Sequence, residues 1–469
     1  MAERHEGVGS GGEASGLGRR GFLTTAAGTV VGTLAAGTAL AHARPARFDP
    51  AHATPLGKQL GQPVAKGKAR IQVKDGEPIR IAIIGCSGPG QGGMGAGHIN
   101  AFTSINKQGK ESVKIVALCD VNDINANYGA GLLKKAGVED KVDLYRDYRE
   151  VLAREDIHGV LIATPEHWHA QMGVDAVLAG KDTYLEKPMT LRLDEALRLR
   201  EVVLANPDIR LQVGTQMTNL PKYHEARKVV EAGTIGAITS SQTSYCRNSK
   251  DGEWNYYRMN PELKPGQNID WDAWCGPLGK MDWDPKLYAR WRRFRKTSTG
   301  ICGDLLVHVV TPMLVALGSA VGWPVRVVAS GSHMVDKDME NHDSVQISVT
   351  FESGHQMVIL GSTCNEVGVE TLIRGNKGNI YLGGRHCVVR PERIWSDDLD
   401  EKTIECADIG NDQDMHRMKW LKCIRTREQP DSDVNQGGKV MVIMDLATRS
   451  MWENRAFGFD PKAMRVIEG

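Results

Sequence analysis

Two short segments place chemically useful side chains just after predicted strands. Residues 184–188 read Tyr-Leu-Glu-Lys-Pro and supply Glu186 and Lys187; residues 164–169 read Thr-Pro-Glu-His-Trp-His. Both fall at the carboxyl edge of what reads as a parallel sheet, the edge where such sheets bind ligands. Further on, Asp304 and His308 stand four apart, so on a helix they share one face. A carboxylate beside a histidine raises its basicity and holds its ring. A salt-bridged Lys187 and a satisfied core His308 are the structural alternatives.

A third segment suits a nucleotide. The apolar run 79–84 leads into Gly85-Cys86-Ser87-Gly88-Pro89-Gly90-Gln91-Gly92-Gly93-Met94-Gly95. Glycines let backbone approach a pyrophosphate, and the N-terminus of a following helix favours its charge. Gly90, Gly92 and Gly95 meet the GxGxxG spacing, yet Gly90 lies five residues past the strand end, where Gly85 would normally be the first glycine. Either the turn carries an insertion or another subset, drawn from Gly85, Gly88, Gly90 and Gly92, holds the phosphates. Asp120 ends the next predicted strand, where a carboxylate accepts both hydroxyls of an adenosine ribose. Its charge disfavours a 2′-phosphate, so NAD is expected over NADP; capping the helix that follows is the alternative.

The elements that must position these groups alternate. Strands are predicted at 79–85, 114–120, 142–145, 159–163, 182–186 and 211–214, with helices at 98–108, 124–136, 147–153, 169–179 and 194–205 between them. Such alternation means crossover connections and a parallel sheet, and fully apolar strands fit burial on both faces. After a helix at 223–232 the pattern changes to period two, with strands at 238–245, 325–332, 344–351, 355–361 and 370–374 and helices at 412–426 and 437–453. The fold class is therefore α/β: an N-terminal doubly wound parallel sheet of the Rossmann type at 76–216, then a C-terminal α+β domain at 217–469 with a large, mostly antiparallel open sheet. Residues 44–75 read as a linker or wrapping arm, and 247–299 as an aromatic-rich insertion.

These pieces together carry a resemblance. The first strand and glycine turn, Ala163-Thr164-Pro165, Glu186-Lys187-Pro188, Gly214-Thr215-Gln216, and Asp304 with His308 resemble the glucose-fructose oxidoreductase / inositol dehydrogenase / rhizopine-catabolism family of NAD(P)-dependent enzymes, over residues 79–374. Residues 271–277, Trp-Asp-Ala-Trp-Cys-Gly-Pro, also resemble a segment of its exported members. The resemblance implies that Thr164, Pro165, His167, His169, Glu186, Lys187 and Gln216 join the glycines and Asp120 in binding NAD. It implies Lys187 beside the nicotinamide and the reacting hydroxyl, His308 as general base, and Asp304 binding a neighbouring hydroxyl or tuning His308. Whether Lys187 or His308 takes the proton stays open. The implied substrate is a sugar, sugar derivative or cyclitol, and the C-terminal sheet would join copies into a homo-oligomer, a dimer or tetramer. Some relatives instead retain NAD and cleave glycosides, though they depart from the Glu-Lys-Pro motif.

Other signals are weaker. His98, His167, His169 and His308 match no strong zinc spacing, so no metal is expected. Most aromatics between Trp254 and Trp291 should form the insertion's own core, with one or two touching substrate. The basic run 290–296 reads as a solvated or subunit-contact stretch, with a clamp on an anionic substrate as the alternative. Lys and Arg number 58 against 57 for Asp and Glu, so no charge bias points to nucleic acid. Arg19-Arg20 heads an apolar stretch ending near small-residue cleavage sites at 39–43, which reads as a twin-arginine export signal recognised by that export machinery, with a membrane tether as its rival. Extracytoplasmic localisation follows from it. No later apolar run is expected to span a bilayer, and the nine cysteines are expected to be free thiols.

Overall fold

The computed structural model describes residues 54–469; the apolar stretch behind Arg19-Arg20, the candidate cleavage sites and the start of the arm lie outside the described residues. Strands β1 (Ile79–Ile84), β2 (Val113–Cys119), β3 (Asp143–Tyr145), β4 (Gly159–Ile162), β5 (Asp182–Leu185) and β6 (Leu211–Val213) form one sheet in the order 3-2-1-4-5-6. Every pairing in it is parallel. Strands β4 and β5 are buried at every position. The order reverses between β1 and β4, which opens a crevice at their carboxyl ends.

Helices α1 (Gly95–Lys107), α2 (Asp123–Lys135), α3 (Tyr148–Ala153), α4 (Glu166–Leu178) and α5 (Leu193–Ala205) make the crossovers. Side chains at the turns start two of them: Asn122 accepts from the Ile124 amide and Asp147 from the Arg149 amide. Helix α4 begins three residues before its predicted start at 169. Pro165, extended at φ −60°, ends the strand and leads straight into the helix, so His167 and His169 lie in the first helical turns instead of a loop. The arm wraps α5: Thr54 bonds Asp194, the Gly61 amide bonds Glu201, and Leu56 is buried.

The second sheet has ten strands, five more than were individually placed from the sequence. It comprises β7 (Ile238–Cys246), β8 (Pro324–Ser332), β9 (Ser344–Phe351), β10 (Gln356–Ser362), β11 (Leu372–Gly375), β12 (Gly378–Tyr381), β13 (Cys387–Pro391), β14 (Lys402–Ile404), β15 (Phe457–Asp460) and β16 (Arg465–Glu468). The unread strands are three to five residues long, too short to display a period. Strands β7 and β10 pair in parallel, and the other described pairs are antiparallel.

Around these strands lie α6 (Pro221–Glu231), α7 (Trp271–Cys275), α8 (Pro285–Ala289), α9 (Val307–Leu317), α10 (Asp412–Thr426) and α11 (Val434–Glu453). The stretch Ile301–Ala320 is long and apolar enough to cross a membrane, contrary to the expectation that no run after residue 43 would be. It is the buried central helix of the second domain, so its composition reflects the core. Helix α10 crosses back to the first domain, where fully buried Trp420 packs edge-on against Phe102 and Tyr184.

The insertion forms a small core of Trp271, Trp274, Cys275 and Leu287 and is stitched to the rim of the first sheet. The Asp123 amide bonds the Asn268 carbonyl (2.9 Å) and the Asp270 amide bonds the Val121 carbonyl (2.9 Å). Arg146 donates to the Gln267 carbonyl and the Trp168 indole to the Trp274 carbonyl. All nine cysteines are unpaired.

Candidate active site

At the nucleotide end, β1 runs into Gly85 at φ 89°, where a Cβ would lie 2.6 Å from the Ala163 carbonyl oxygen. Gly95 opens α1 so close beneath that its Cβ would fall 2.0 Å from the Gly85 oxygen. These two glycines make the tight turn and the close helix approach, and residues 86–94 are an insertion between them. The Gly90, Gly92, Gly95 triplet therefore does not act as the compact fingerprint. Gly90 is exposed with open space around it, Gly88 is packed on Asn125, and Gly92 lines the cleft beneath the Tyr257 ring. Asp120 sits beside the turn, its carboxylate accepting from the Cys86 amide (2.9 Å) and the Asn122 amide (2.9 Å). Burial raises its carboxyl to about 6 despite these amides.

From Asp120 a cleft of about 390 Å³ runs past Gly92 and Thr164 to Glu186 and Lys187, walled on its far side by Trp274, Tyr288 and Arg292 of the insertion. Tyr288 accepts from Asn122 (2.8 Å), which ties the insertion to the Asp120 corner. The buried Thr164 Oγ1, on the cleft wall, has no hydrogen-bond partner within the protein. An unpartnered hydroxyl, a strained glycine turn and a backbone-anchored acid on one crevice fit a dinucleotide.

The chemistry end is charged. Lys187 Nζ donates to the Asp304 carboxylate (2.6 Å) and to its backbone carbonyl (2.8 Å). Arg292 Nε donates to the same carboxylate (2.8 Å) while its Nη1 reaches the Gly92 carbonyl (2.6 Å). The other Asp304 oxygen accepts from the Trp254 indole (3.1 Å). Trp254 adopts φ 58° to present that N–H, a backbone cost of about 1–2 kcal/mol for a residue with a Cβ. Burial alone would raise the Asp304 carboxyl, but Arg292 and Lys187 hold it well below the usual carboxylate range.

The Asp304–His308 pair expected from helical spacing does not form. Asp304 lies in the π-helical stretch Ile301–Leu306, whose wider turn breaks the four-residue register, and its oxygens are taken by Lys187, Arg292 and Trp254. His308, half-buried in the first turn of α9, keeps an Nδ1 with no partner. Burial, and then the Lys187 charge, lower its pKa to about 3, so the ring is neutral.

Behind Lys187 stands a buried chain. His98 Nε2 bonds Glu186 Oε1 (2.8 Å), Arg417 Nε bonds His98 Nδ1 (2.9 Å), and the Lys187 amide bonds the second Glu186 oxygen (3.1 Å).

Besides Gly88 and Gly90, three residues expected at the cofactor do not line the cleft. The His167 ring bonds the Trp274 carbonyl (2.8 Å), and the His169 nitrogens face the Pro188 (2.6 Å) and Thr164 (2.9 Å) carbonyls, so both rings brace loops. Gln216 sits in the 3-10 turn Gln216–Asn219 beyond β6, outside the cleft wall. Conversely, the basic run read as solvated supplies Arg292, with a side chain 12% exposed, and Arg293, buried against Asp336. Its spacing to Asp304 was the available signal. Trp254 was visible only as one of the insertion's aromatics, and nothing local marked Arg417; both reach the site from distant elements.

The comparisons fit this geometry. A profile described as "Oxidoreductase family, NAD-binding Rossmann fold" matches residues 79–215, and its companion, "Oxidoreductase family, C-terminal alpha/beta domain", matches 279–458. The chain belongs to this family. Within the glucose-fructose oxidoreductase / inositol dehydrogenase / rhizopine-catabolism group it is 28% identical over 175 residues to inositol 2-dehydrogenase of Burkholderia cenocepacia, covering 37% of this chain and 48% of that protein. The match thus spans about half the length of that relative. A glycosyl hydrolase family 109 protein of Shewanella pealeana is 26% identical over 275 residues, 54% of each. Among solved structures, levoglucosan dehydrogenase in complex with NADH superimposes with TM-score 0.60 at 19% identity, covering 81% of this chain and 98% of that one, a likeness of fold.

Proposed function

We propose that this family member is an NAD-dependent oxidoreductase that moves a hydride between a secondary CH–OH group of a sugar, sugar derivative or cyclitol and a tightly held nicotinamide. The carrying observation is Lys187, at the end of a cleft whose other end fits a dinucleotide, paired with the buried Asp304 and close enough to His308 for its charge to help keep that ring neutral. A bound nicotinamide would supply the hydride acceptor or donor; the chain supplies the rest. Lys187, locked to Asp304, directs its remaining N–H groups at the substrate oxygen and stabilises developing negative charge there. Because Lys187 is committed to an ion pair, the neutral ring of His308 is assigned as the acceptor of the hydroxyl proton. Arg292 and Lys187 keep Asp304 ionised, and the Trp254 indole helps hold it in place.

Tight retention is supported by the stitched insertion that walls the cleft. It also supports a second reading, in which retained NAD serves a glycoside cleavage with no net redox change, the chemistry suggested by the family 109 relative. We further infer export through the twin-arginine route from Arg19-Arg20, and association of copies through the open face of the ten-stranded sheet, where Gln346, Ser348, Gln356 and Val358 are exposed. The test is to denature the purified, unsupplemented protein and identify the released nucleotide by mass spectrometry, then supply polyols and glycosides. Stoichiometric NAD(H), reduced by a polyol, is expected. Aglycone release without net reduction would install the second reading, and absence of nucleotide and of NAD binding would overturn both.

A further inference from the structure

The Arg417–His98–Glu186 chain has no part in the proton handling above, yet it buries three polar side chains at 4%, 1% and 7% exposure. It joins three separate parts of the sequence: α10, α1 and the residue after β5. A guanidinium can only donate, so His98 Nδ1 must be an acceptor, and its proton sits on Nε2, directed at Glu186. Arg417 is itself fixed by Asp414 (2.8 Å). Both Glu186 oxygens are thereby engaged, one by His98 and one by the Lys187 amide, which sets the orientation of the carboxylate. Burial pushes that carboxyl up, but His98 and Lys187 outweigh it and bring it to about 2, while burial keeps His98 neutral.

Glu186 lines the cleft. A dinucleotide straddles the point where the strand order reverses; with Asp120 on the β2 side placed for the adenosine ribose, the nicotinamide falls on the β4–β5 side, where Glu186 lies. An apolar triad would pack as well and avoid the desolvation of charge, so packing alone does not account for this arrangement.

We infer that Arg417, acting through His98, is a positioning residue that holds the Glu186 carboxylate at the nicotinamide end of the cleft, so that the protein binds the oxidised, positively charged nicotinamide in preference to the reduced, neutral one. The inference rests on the cofactor reading above. A fixed negative charge attracts the cationic ring and has no matching attraction for the neutral ring, and this lowers the potential of the bound couple.

The test measures the dissociation constants of NAD and NADH by calorimetry on cofactor-stripped protein. In Glu186→Gln, which keeps shape and loses charge, the ratio Kd(NAD)/Kd(NADH) should rise about tenfold, equivalent to ~30 mV for a two-electron couple. Arg417→Met should move the ratio the same way by a smaller factor, and Arg417→Lys, which can still donate to His98, should restore it. Either position alone decides the matter if variants at the other fail to fold. Binding of both nucleotides with an unchanged ratio overturns the inference and leaves the cofactor reading standing; failure of the unaltered protein to bind either overturns the cofactor reading itself.

Discussion

The two ends of the cleft are built by opposite means. At the nucleotide end the close contacts come from glycine backbone and amides around Asp120; Arg146, Asp147 and Arg149 line the cleft beside them, and the wall opposite is an aromatic insertion. At the chemistry end, side chains from four separate segments meet within hydrogen-bond distance: Lys187, Trp254, Arg292 and Asp304. Recognition of a constant ligand needs close approach, which glycine and backbone provide. Moving a proton needs charges whose positions are over-determined, and each carboxylate there has at least two partners.

The sharpest break between the ends comes from single substitutions with different effects. Lys187→Met should cut turnover by about 10³-fold while NAD binding persists, read by steady-state kinetics beside calorimetry. Gly85→Ala should act at the other end, abolishing NAD binding and turnover with it, because its methyl group meets the Ala163 backbone and cannot be moved aside. Next in size, replacing residues 261–284 by a short Gly-Ser loop should raise the NAD dissociation rate about 100-fold, ~2.7 kcal/mol, as measured by stopped-flow fluorescence. An unchanged rate would mean that the insertion walls the cleft without retaining its contents.

Asp120 offers a smaller and pH-dependent effect. Its carboxyl titrates near 6, and the proposed ribose contact requires the ionised form. NAD affinity should therefore fall as pH drops through that value, by about fourfold between pH ~7.5 and ~5.5. Asp120→Asn should flatten this dependence and reduce discrimination against NADP about tenfold. The smallest effect belongs to Gly90→Ala. Open space surrounds it, so only its φ of 72° is strained, for about 1–2 kcal/mol of stability by thermal melt and little change in NAD affinity.

The nucleotide end was largely legible in the sequence because its determinants are local: an apolar strand, glycines and an acid at the next strand end. The charged end was legible in its members more than in its contacts. Glu186, Lys187, Asp304 and His308 stood out by motif, but the α-helical register assumed for Asp304 and His308 gave way to a π turn. His167 and His169 were expected at the cofactor from the family resemblance, and their rings instead bond the carbonyls of Trp274, Pro188 and Thr164. Arg292 was visible within a basic run, and burial, which a charged run does not advertise, changed its meaning. Trp254 and Arg417 belong to the site only through tertiary contacts, and the short strands β12 to β16 exist because neighbours pair with them.

The bond from Arg292 to the Gly92 carbonyl joins residues 200 apart in sequence. Ribosomes add about 5–20 residues per second, so this contact becomes possible some ~10–40 s after its acceptor has been synthesised. The first domain can therefore emerge and fold as an open receptacle, and its wall arrives only as the later half of the chain follows. A nucleotide captured in that interval would be enclosed by the completion of synthesis itself, which makes cofactor supply during translation a determinant of how much of the finished protein is loaded.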